Sequence, residues 1–462
     1  MLGDTIVAVS TPRGRGGVAL LRISGDAALE VASRVFRPKN KLPLASCEGR
    51  RAIYGEILAP DAGAEWQAID DGIATVFYAP SSFTGENTVE LCCHGGILLT
   101  ETVLTACIAA GARPATAGEF TRRAVLNGKM GLSSAESLGN MLEASTREQL
   151  KLAHNGMGGR IEQKTASVYA SLCNVLASVY AKIDYPDEDL ADMSREEILE
   201  ALGGCARELD ALAKTYRTGH AVAEGIPTVI CGRPNVGKSS LYNRIVGRDA
   251  AIVTDIEGTT RDVLTETASL GRVTLRVFDT AGLRETDDRV ERIGIDRAES
   301  ALREAELILA VFDASRAASD GDVALIKRLQ AEAAAVIAVI NKCDLSDAVE
   351  SLYEKSFSHS VRLSAKEGDG MEALISKVEE LFVDGSLDLG RDAVLANARQ
   401  HAAVWTALEA VERAIEALRG GYPIDLSCTD VEAAMAALSE LDGRAVSEDV
   451  IAQIFSHFCV GK

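Results

Sequence analysis

The sequence predicts a multidomain α/β chain. An α+β domain comes first, then an α-helical domain in two pieces with a doubly wound sheet inserted between them. Three observations carry this. Residues 219–384 alternate short β-branched runs with amphipathic helices, the pattern of a mainly parallel sheet covered on both faces. On either side the chain is rich in Ala, Glu, Leu and Ser at helical spacing. Before residue 120 it is mostly short strands and turns. The expected domains are therefore 1–119, 120–218, 219–384 and 385–462, with the two helical blocks packing together. A chain of 462 residues suits two or three such bodies.

In the first domain, strands are expected at 5–9 and 18–23 around the turn-rich loop 10–17, and again at 73–78 and 88–91. His94-Gly95-Gly96 opens an apolar helix over 97–110. Helices are then predicted over 133–154 and 159–183, until Tyr185-Pro-Asp-Glu-Asp interrupts. Ser194-Arg-Glu-Glu197 is a capping box that starts the next helix. The sheet strands fall at 227–231, 273–278, 307–312, 335–340 and 361–363. Helices return at 394–419, 430–441 and 447–458.

Composition narrows the class. Hydrophobic residues make up 47% and charged residues 25%, as in globular chains. We find no run of about 18 apolar residues to span a membrane. The start, Met-Leu-Gly-Asp, lacks the basic and apolar regions of a secretory leader, so a cytoplasmic protein is expected. Ten scattered cysteines without a C-x-x-C pair imply reduced thiols, with neither a zinc site nor a disulfide framework. A net charge of −20 argues against a whole-surface grip on nucleic acid; an RNA partner would need a placed, salt-sensitive cluster.

The chemistry centres on Gly232-Arg-Pro-Asn-Val-Gly237-Lys238-Ser239, a phosphate-binding loop between a predicted strand and a helix. Backbone N–H groups of Asn235, Val236, Gly237, Lys238, Ser239 and Ser240 can nest phosphate oxygens. Lys238 would reach the β- and γ-phosphates, and the Ser239 hydroxyl would hold Mg²⁺. Three further motifs follow predicted strands, at the sheet edge where ligands bind. In Asp279-Thr280-Ala281-Gly282, Asp279 can hold Mg²⁺ through water and the Gly282 N–H can sense a γ-phosphate. In Asn341-Lys342-Cys343-Asp344, the Asp344 carboxylate accepts from guanine N1–H and the 2-amino group, donors that adenine does not offer there. Ser364-Ala365-Lys366 would meet guanine O6 through backbone N–H. Either Thr259 or Thr260 can complete the Mg²⁺ shell. Together these imply an Mg²⁺-dependent guanine-nucleotide site. Leu283 follows the D-x-x-G motif, and its apolar side chain cannot orient water. Asn235 is either a turn residue or, through its amide oxygen, a ligand for a monovalent cation, with the 254–259 loop supplying carbonyls.

Taken together, these residues resemble the bacterial tRNA-modifying GTPase family MnmE (TrmE). The resemblance covers nearly the whole chain. It includes Asp4-Thr-Ile-Val, Gly14-Arg-Gly-Gly-Val, Leu21-Arg-Ile-Ser-Gly25, Ser82-Phe-Thr-Gly-Glu86, His94-Gly-Gly and Gly118-Glu-Phe-Thr. It continues through Gly258-Thr-Thr-Arg-Asp262 and Asp279-Thr-Ala-Gly-Leu-Arg284 to the ending Phe458-Cys-Val-Gly-Lys462, which generic GTPases lack. Arg13 stands where the family often has a second Pro, and Cys343 replaces a small residue. An Era-type GTPase would instead carry a basic RNA-binding module after the sheet.

The resemblance implies a Ras-like G domain inserted in a discontinuous helical domain behind a tetrahydrofolate-binding N-terminal domain. It implies a homodimer formed through the N-terminal domains, with G domains that meet face to face when GTP and K⁺ bind. It assigns K⁺ to Asn235, Thr254, Ile256 and Thr259, with Thr254 also at the nucleotide, and it favours Thr260 for Mg²⁺. Glu291 matches a glutamate that positions the attacking water indirectly. Arg22, Glu90, Lys129 and Lys462 match folate-contacting positions, for 5-formyl- or methylene-tetrahydrofolate. Cys459 lies in a tail expected to work near the folate. The implied partners are tRNA and an FAD-dependent protein of the MnmG (GidA) family, in a heterotetramer.

Overall fold

The structure is a computed structural model. It describes residues 4–12, 14–61, 65–184, 193–248, 265–278, 301–345, 351–443, 454–456, 458 and 461. Two compact units emerge, one of residues 1–139 with 439–462, the other of 140–438.

The first unit is built on seven strands: β1 (Ile6–Val9), β2 (Val18–Ser24), β3 (Phe36–Pro38), β4 (Ala52–Pro60), β5 (Trp66–Phe77), β6 (Thr88–His94) and β7 (Arg113–Pro114), in the order β3-β4-β5-β6-β2-β1-β7. All neighbours are antiparallel except β1 and β7. Alternation decides the faces. Leu21, Ile23, Val89, Leu91, Ala74 and Val76 are buried with helices α1 (Ala28–Val35) and α2 (Ile97–Ala109). Ile6 and Ala8 point the other way, onto Phe120 of α3 (Glu119–Leu126) and Phe83. Helix α4 (Leu132–Glu143) packs Leu132 and Ala135 on Phe455. Strands β3, β4 and β7 were not expected, and β5 begins at Trp66 where 73 was expected, because Gln67, Ala68 and Ile69 in its first half are all exposed and do not alternate.

The second unit begins with α5 (Arg147–Met157), α6 (Arg160–Asp184), α7 (Arg195–Lys214) and α8 (Tyr216–Ala223). The single helix expected over 133–154 is two helices, because Thr146 and Gln149 form a capping box that restarts the chain. The Ser194–Glu197 box does begin α7. Buried residues on α6 fall at 161, 165, 168, 172, 175, 176 and 179, and on α7 at 198, 202, 205, 209, 212 and 213. This 4-3 spacing packs long helices side by side. By length and composition alone α6 is also long and apolar enough to cross a membrane; its buried stripe packs in the bundle.

Strand β8 (Ile226–Cys231) then leads into α9 (Lys238–Arg248), followed by β9 (Thr265–Leu270), β10 (Val273–Phe278), β11 (Leu307–Asp313), α10 (Asp320–Leu329), β12 (Ala335–Asn341), α11 (Ser351–Ser356), β13 (His359–Arg362) and α12 (Met371–Phe382). The strand order is β13-β12-β11-β8-β10-β9, parallel except for the β9–β10 pair. Leu307, Leu309 and Val311 pack with α9 and α12, while Ile308, Ala310 and Phe312 pack with α10 and Tyr353 of α11. That alternation along one fully buried strand makes the sheet doubly wound. The unanticipated β9 pairs antiparallel at the edge, where Thr, Glu and Ser dilute the apolar run.

Helix α13 (Ala398–Arg419) starts four residues after the expected 394, because the Asn397 side chain caps it. Helix α14 (Cys428–Asp442) closes the bundle. Of the helix expected at 447–458, residues 454–456 are helical and most others lie outside the described residues.

Helix α8 is clamped between bundle and sheet. A Cβ at Gly219 would fall 2.0 Å from the Leu395 carbonyl oxygen. Thr218 Oγ1 accepts the Asp384 N–H at 2.8 Å. His220 Nε2 lies 3.3 Å from Glu306 Oε1, and Nδ1 lies 3.3 Å from Glu224, off the hydrogen-bond line. These two carboxylates raise the imidazole to about 9. A raised folded pKa contributes stability that is complete below about 6.5 and lost as pH rises through about 9. We predict that urea unfolding of the wild type weakens over that window and that His220→Gln flattens this arm. An unchanged alkaline arm in the variant would dismiss the clamp.

Candidate functional site

The loop 232–237 joins β8 to α9, and its backbone leaves no room for side chains at two points. A Cβ at Gly232 (φ +147°) would sit 2.4 Å from the Val311 carbonyl oxygen. One at Gly237 (φ +99°) would sit 2.1 Å from Asn341 Nδ2. Asn235 is also left-handed, at φ 65°, a conformation that Asn tolerates better than most residues.

Asn341, at the end of β12, is 3% exposed and works in two directions. Its Nδ2 donates to the Val236 carbonyl at 2.8 Å, and its Oδ1 accepts the Ala365 N–H at 2.9 Å. One buried amide thus ties the loop 232–237 to the loop 364–366. Lys342, itself at φ 65°, adds a second tie: its Nζ donates to the Asn235 carbonyl and to Asp313 Oδ2, both at 2.7 Å. Burial pushes the Asp313 carboxyl up, but Lys342 and Ser315 outweigh it and hold the group below its ordinary range. A third tie runs from α9, where Arg244 donates to the carbonyls of Ala365 and Lys366.

Lys238 Nζ donates to the carbonyls of Gly232 at 2.8 Å and Arg233 at 2.9 Å, which keeps the ammonium within the loop. Burial lowers its pKa. Ser239 and Ser240 are exposed on the first turn of α9, and Asp344 is exposed just past Lys342. The structure therefore assembles Asn235, Val236, Gly237, Lys238, Ser239, Asn341, Lys342, Asp344, Ser364, Ala365 and Lys366 along the ends of β8, β12 and β13. The Ala365 N–H, expected for guanine O6, is engaged by Asn341. Thr254, Ile256, Thr259, Thr260, Asp279, Thr280, Ala281, Gly282, Glu291, Cys459 and Lys462 lie outside the described residues.

In the first unit, the register pairs Arg22 with Glu90 across β2 and β6. Arg22 Nε donates to Glu90 Oε1 at 3.0 Å. Its guanidinium lies 5.3 Å from the Phe83 ring centre and 5.7 Å from that of Phe120. Lys129 donates instead to the Pro80 carbonyl, at 2.9 Å, and its stem packs near Gly85. Gly461 is buried; a Cβ there would fall 2.4 Å from the Val9 carbonyl, and its own carbonyl accepts from Ser10 Oγ at 3.0 Å. The end of the chain is thus seated against the end of β1, whose Ala8 is the register partner of Arg22.

Near the Arg22–Glu90 pair is a charge cluster that sequence reasoning missed. Arg123 is 3% exposed and binds Asp4 at 2.6 Å, Glu86 at 3.0 Å and Glu119 at 3.0 Å. Arg113 binds Glu119 at 2.5 Å and also Asp4. Ser24 Oγ donates to Glu86 at 2.8 Å. Burial raises the Glu119 carboxyl, but Arg113, the Thr116 N–H and Arg123 overcome that and bring it to about 2. The available signal was that Asp4, Ser24, Glu86 and Glu119 all fall inside the quoted motifs; Arg113 and Arg123 do not.

The chain matches two family models: "GTP-binding protein TrmE N-terminus" over residues 5–129 and "MnmE helical domain" over residues 132–459. It is similar to the tRNA modification GTPase MnmE of Acetivibrio thermocellus, at 39% identity over 99% of both chains. The same protein of Symbiobacterium thermophilum is 41% identical over 99% of both. That of Thermoanaerobacter sp. is 36% identical over the full length of both.

Removing Arg123 takes away a shared partner of Asp4, Glu86 and Glu119 and leaves them to Arg113, Thr116 and Ser24. We predict that Arg123→Met costs about 3–5 kcal/mol in urea unfolding, as broken buried ion networks do. The depressed Glu119 contributes stability that is present above about 4.5 and lost as pH falls through about 2. Glu119→Gln should therefore flatten the acid arm; an identical acid profile would show that the cluster carries no linkage.

Proposed function

The chain belongs to the MnmE family of tRNA modification GTPases, and on that premise we propose a potassium-activated GTPase that, with an FAD-dependent MnmG-type partner, modifies C5 of the wobble uridine in certain tRNAs. Its enzymatic activity is GTP hydrolysis. The product is an aminomethyl- or carboxymethylaminomethyl-type uridine, and a folate supplies the carbon. The carrying observation is the pair of ties from Asn341 and Lys342, which hold the phosphate loop and both guanine loops in one frame.

The residues present fit the nucleotide. Gly232 and Gly237 bring bare backbone close, Lys238 transfers its ammonium from loop carbonyls to phosphate oxygens, and Asp344 reads the base from an exposed position. Ser239 fits Mg²⁺, and Thr260 would complete its shell; the ion would neutralise charge on the β- and γ-phosphates. For K⁺, the left-handed turn presents Asn235 at the surface while Lys342 occupies its carbonyl, so the side-chain oxygen is the group offered. Thr254, Ile256 and Thr259 would complete that shell. Glu291 positions the attacking water indirectly, and G-domain pairing across a homodimer drives the switch. The domain boundaries at 119, 218 and 384 belong to this reading, as does a cytoplasmic location.

For folate, the Glu90 carboxylate suits a pterin's N–H edge, and Arg22, Lys129 and Lys462 suit its glutamate tail. Arg22 already lies between two phenyl rings and is paired with Glu90, so a ligand enters by exchanging for one partner. The seat of Gly461 on β1 supports a tail working near the Arg22–Glu90 pair. Cys459 belongs to that tail in sequence.

GTP turnover should be on the order of tenfold or more faster in K⁺ than in Na⁺ at matched ionic strength, since a catalytic cation replaces an arginine finger. Asn235→Ala should erase the difference; equal rates in both salts for the wild type would remove K⁺ from the mechanism. Tetrahydrofolate binding by calorimetry should weaken about 10–100-fold in Glu90→Gln, the size of a lost charged hydrogen bond. Unaltered affinity would move the folate elsewhere.

A further inference from the structure

The last residues of the chain are held at two separate points, and both depend on bare backbone. The first is an aromatic seat. Gly139 stands in the interior of α4, where a glycine ordinarily weakens a helix. A Cβ there would fall 3.0 Å from Cζ of Phe458 and 3.2 Å from its Cε2, so the missing side chain makes room for the tip of that ring. Gly118 (φ +63°), just before α3, lies under the same residues: a Cβ on it would sit 2.9 Å from Phe455 Cβ and 3.0 Å from Phe458 Cβ. The two phenyl rings pack on each other with centres 5.1 Å apart, against Leu132 and Ala135 of α4.

The second point is the end of β1. Gly461 (φ +104°) approaches so closely that a Cβ would lie 2.4 Å from the Val9 carbonyl oxygen and 3.1 Å from Ser10 Cα. Ser10 Oγ donates to the Gly461 carbonyl at 3.0 Å, and Ser10 is itself fixed by its N–H on the Leu20 carbonyl at 2.7 Å. Leu20 is two residues from Arg22 on the same strand, and so on the same face of the sheet. Chain ends ordinarily fray unless tied down. Here two residues, Cys459 and Val460, separate the two anchors, and only Lys462 follows the second. The apolar core under β2, β5 and β6 contains none of residues 455–461, so these ties serve the tail rather than the sheet.

We propose that Ser10, Phe458 and Gly461, with Gly118 and Gly139 beneath the ring, are positioning residues of the folate site: they staple the tail at two points so that Lys462 meets the ligand from a fixed backbone. This rests on the folate reading above and adds what holds the tail there. A contact residue on a frayed end must be ordered when the ligand binds, which subtracts from affinity; a tail anchored beforehand avoids that loss.

Tetrahydrofolate titrated calorimetrically into the full-length protein tests the staple. Gly461→Ala forces a Cβ onto the Val9 carbonyl yet lies one residue from the chain end. It should weaken binding about tenfold or more, toward the affinity of a chain ending at Phe458. Gly139→Leu, which fills the place of the ring, should do the same. Ser10→Ala should weaken binding about 2–10-fold, the size of one neutral hydrogen bond, while Ser10→Thr, which keeps the hydroxyl, should bind like the wild type. GTP turnover and the melting temperature of Gly461→Ala should be unchanged. Wild-type affinity in both Gly461→Ala and Gly139→Leu overturns the staple and leaves the folate reading standing. Lost affinity accompanied by a lowered melting temperature of Gly461→Ala also overturns it, since the seat would then support the fold and not the tail. Failure of the unaltered protein to bind tetrahydrofolate overturns both.

Discussion

The proposed nucleotide site depends on one buried amide. Asn341 Nδ2 lies where a side chain at position 237 would begin, so the glycine and the asparagine require each other. The same amide accepts from Ala365, and in one step it sets the distance between a phosphate loop and a base-reading loop. The topology makes this possible. Strand β11 separates β8 from β12, and its last residue, Asp313, anchors the Lys342 ammonium that reaches across to Asn235. Two consecutive residues of one motif thus hold two consecutive residues of another. A parallel sheet places these loops at one edge, and the buried polar ties make their spacing rigid.

Two of the four described non-glycine residues with positive φ lie in the same place, the others being Lys41 and Arg50. Asn235 and Lys342 both adopt left-handed conformations that a non-glycine residue avoids, and they are bonded to each other. Strain of this kind persists where the surroundings over-determine it and is common at ligand clamps. Helix α8 extends the frame backwards. Only three residues separate its Thr218–Asp384 and Gly219–Leu395 contacts from the end of the helix, and β8 starts at Ile226, so the strand feeding the phosphate loop inherits the helix's placement.

The first unit uses charge where the sheet unit uses amides. Arg123 sits among Asp4, Glu86 and Glu119, which come from the chain start, a loop and a helix turn. A buried guanidinium with three carboxylate partners is tolerated because its five donors can be met at once. The cluster shapes the ground on which Arg22 and Glu90 stand: Phe83 and Phe120, which flank Arg22, are each within a few residues of a cluster carboxylate.

The sequence by itself determined the chemistry and the class of fold. The phosphate loop, the guanine motif and the strand–helix alternation are local patterns, because a strand of Val and Ile or a glycine turn is dictated by neighbours a few residues away. The Ser194 cap was legible for the same reason, and so were most sheet strands to within one or two residues. The break between α4 and α5 was legible in the same way but missed: Thr146-Arg-Glu-Gln149 is a capping-box signature, and no large apolar residue falls between Leu142 and Leu150. Tertiary structure decided everything that joins distant segments. No local pattern pairs Arg123 with Asp4, seats Gly461 on β1, or stacks Tyr216 on His401, since those partners are 119, 451 and 185 positions apart. Such contacts form only after the chain has folded and close approach has made their geometry cheap in entropy.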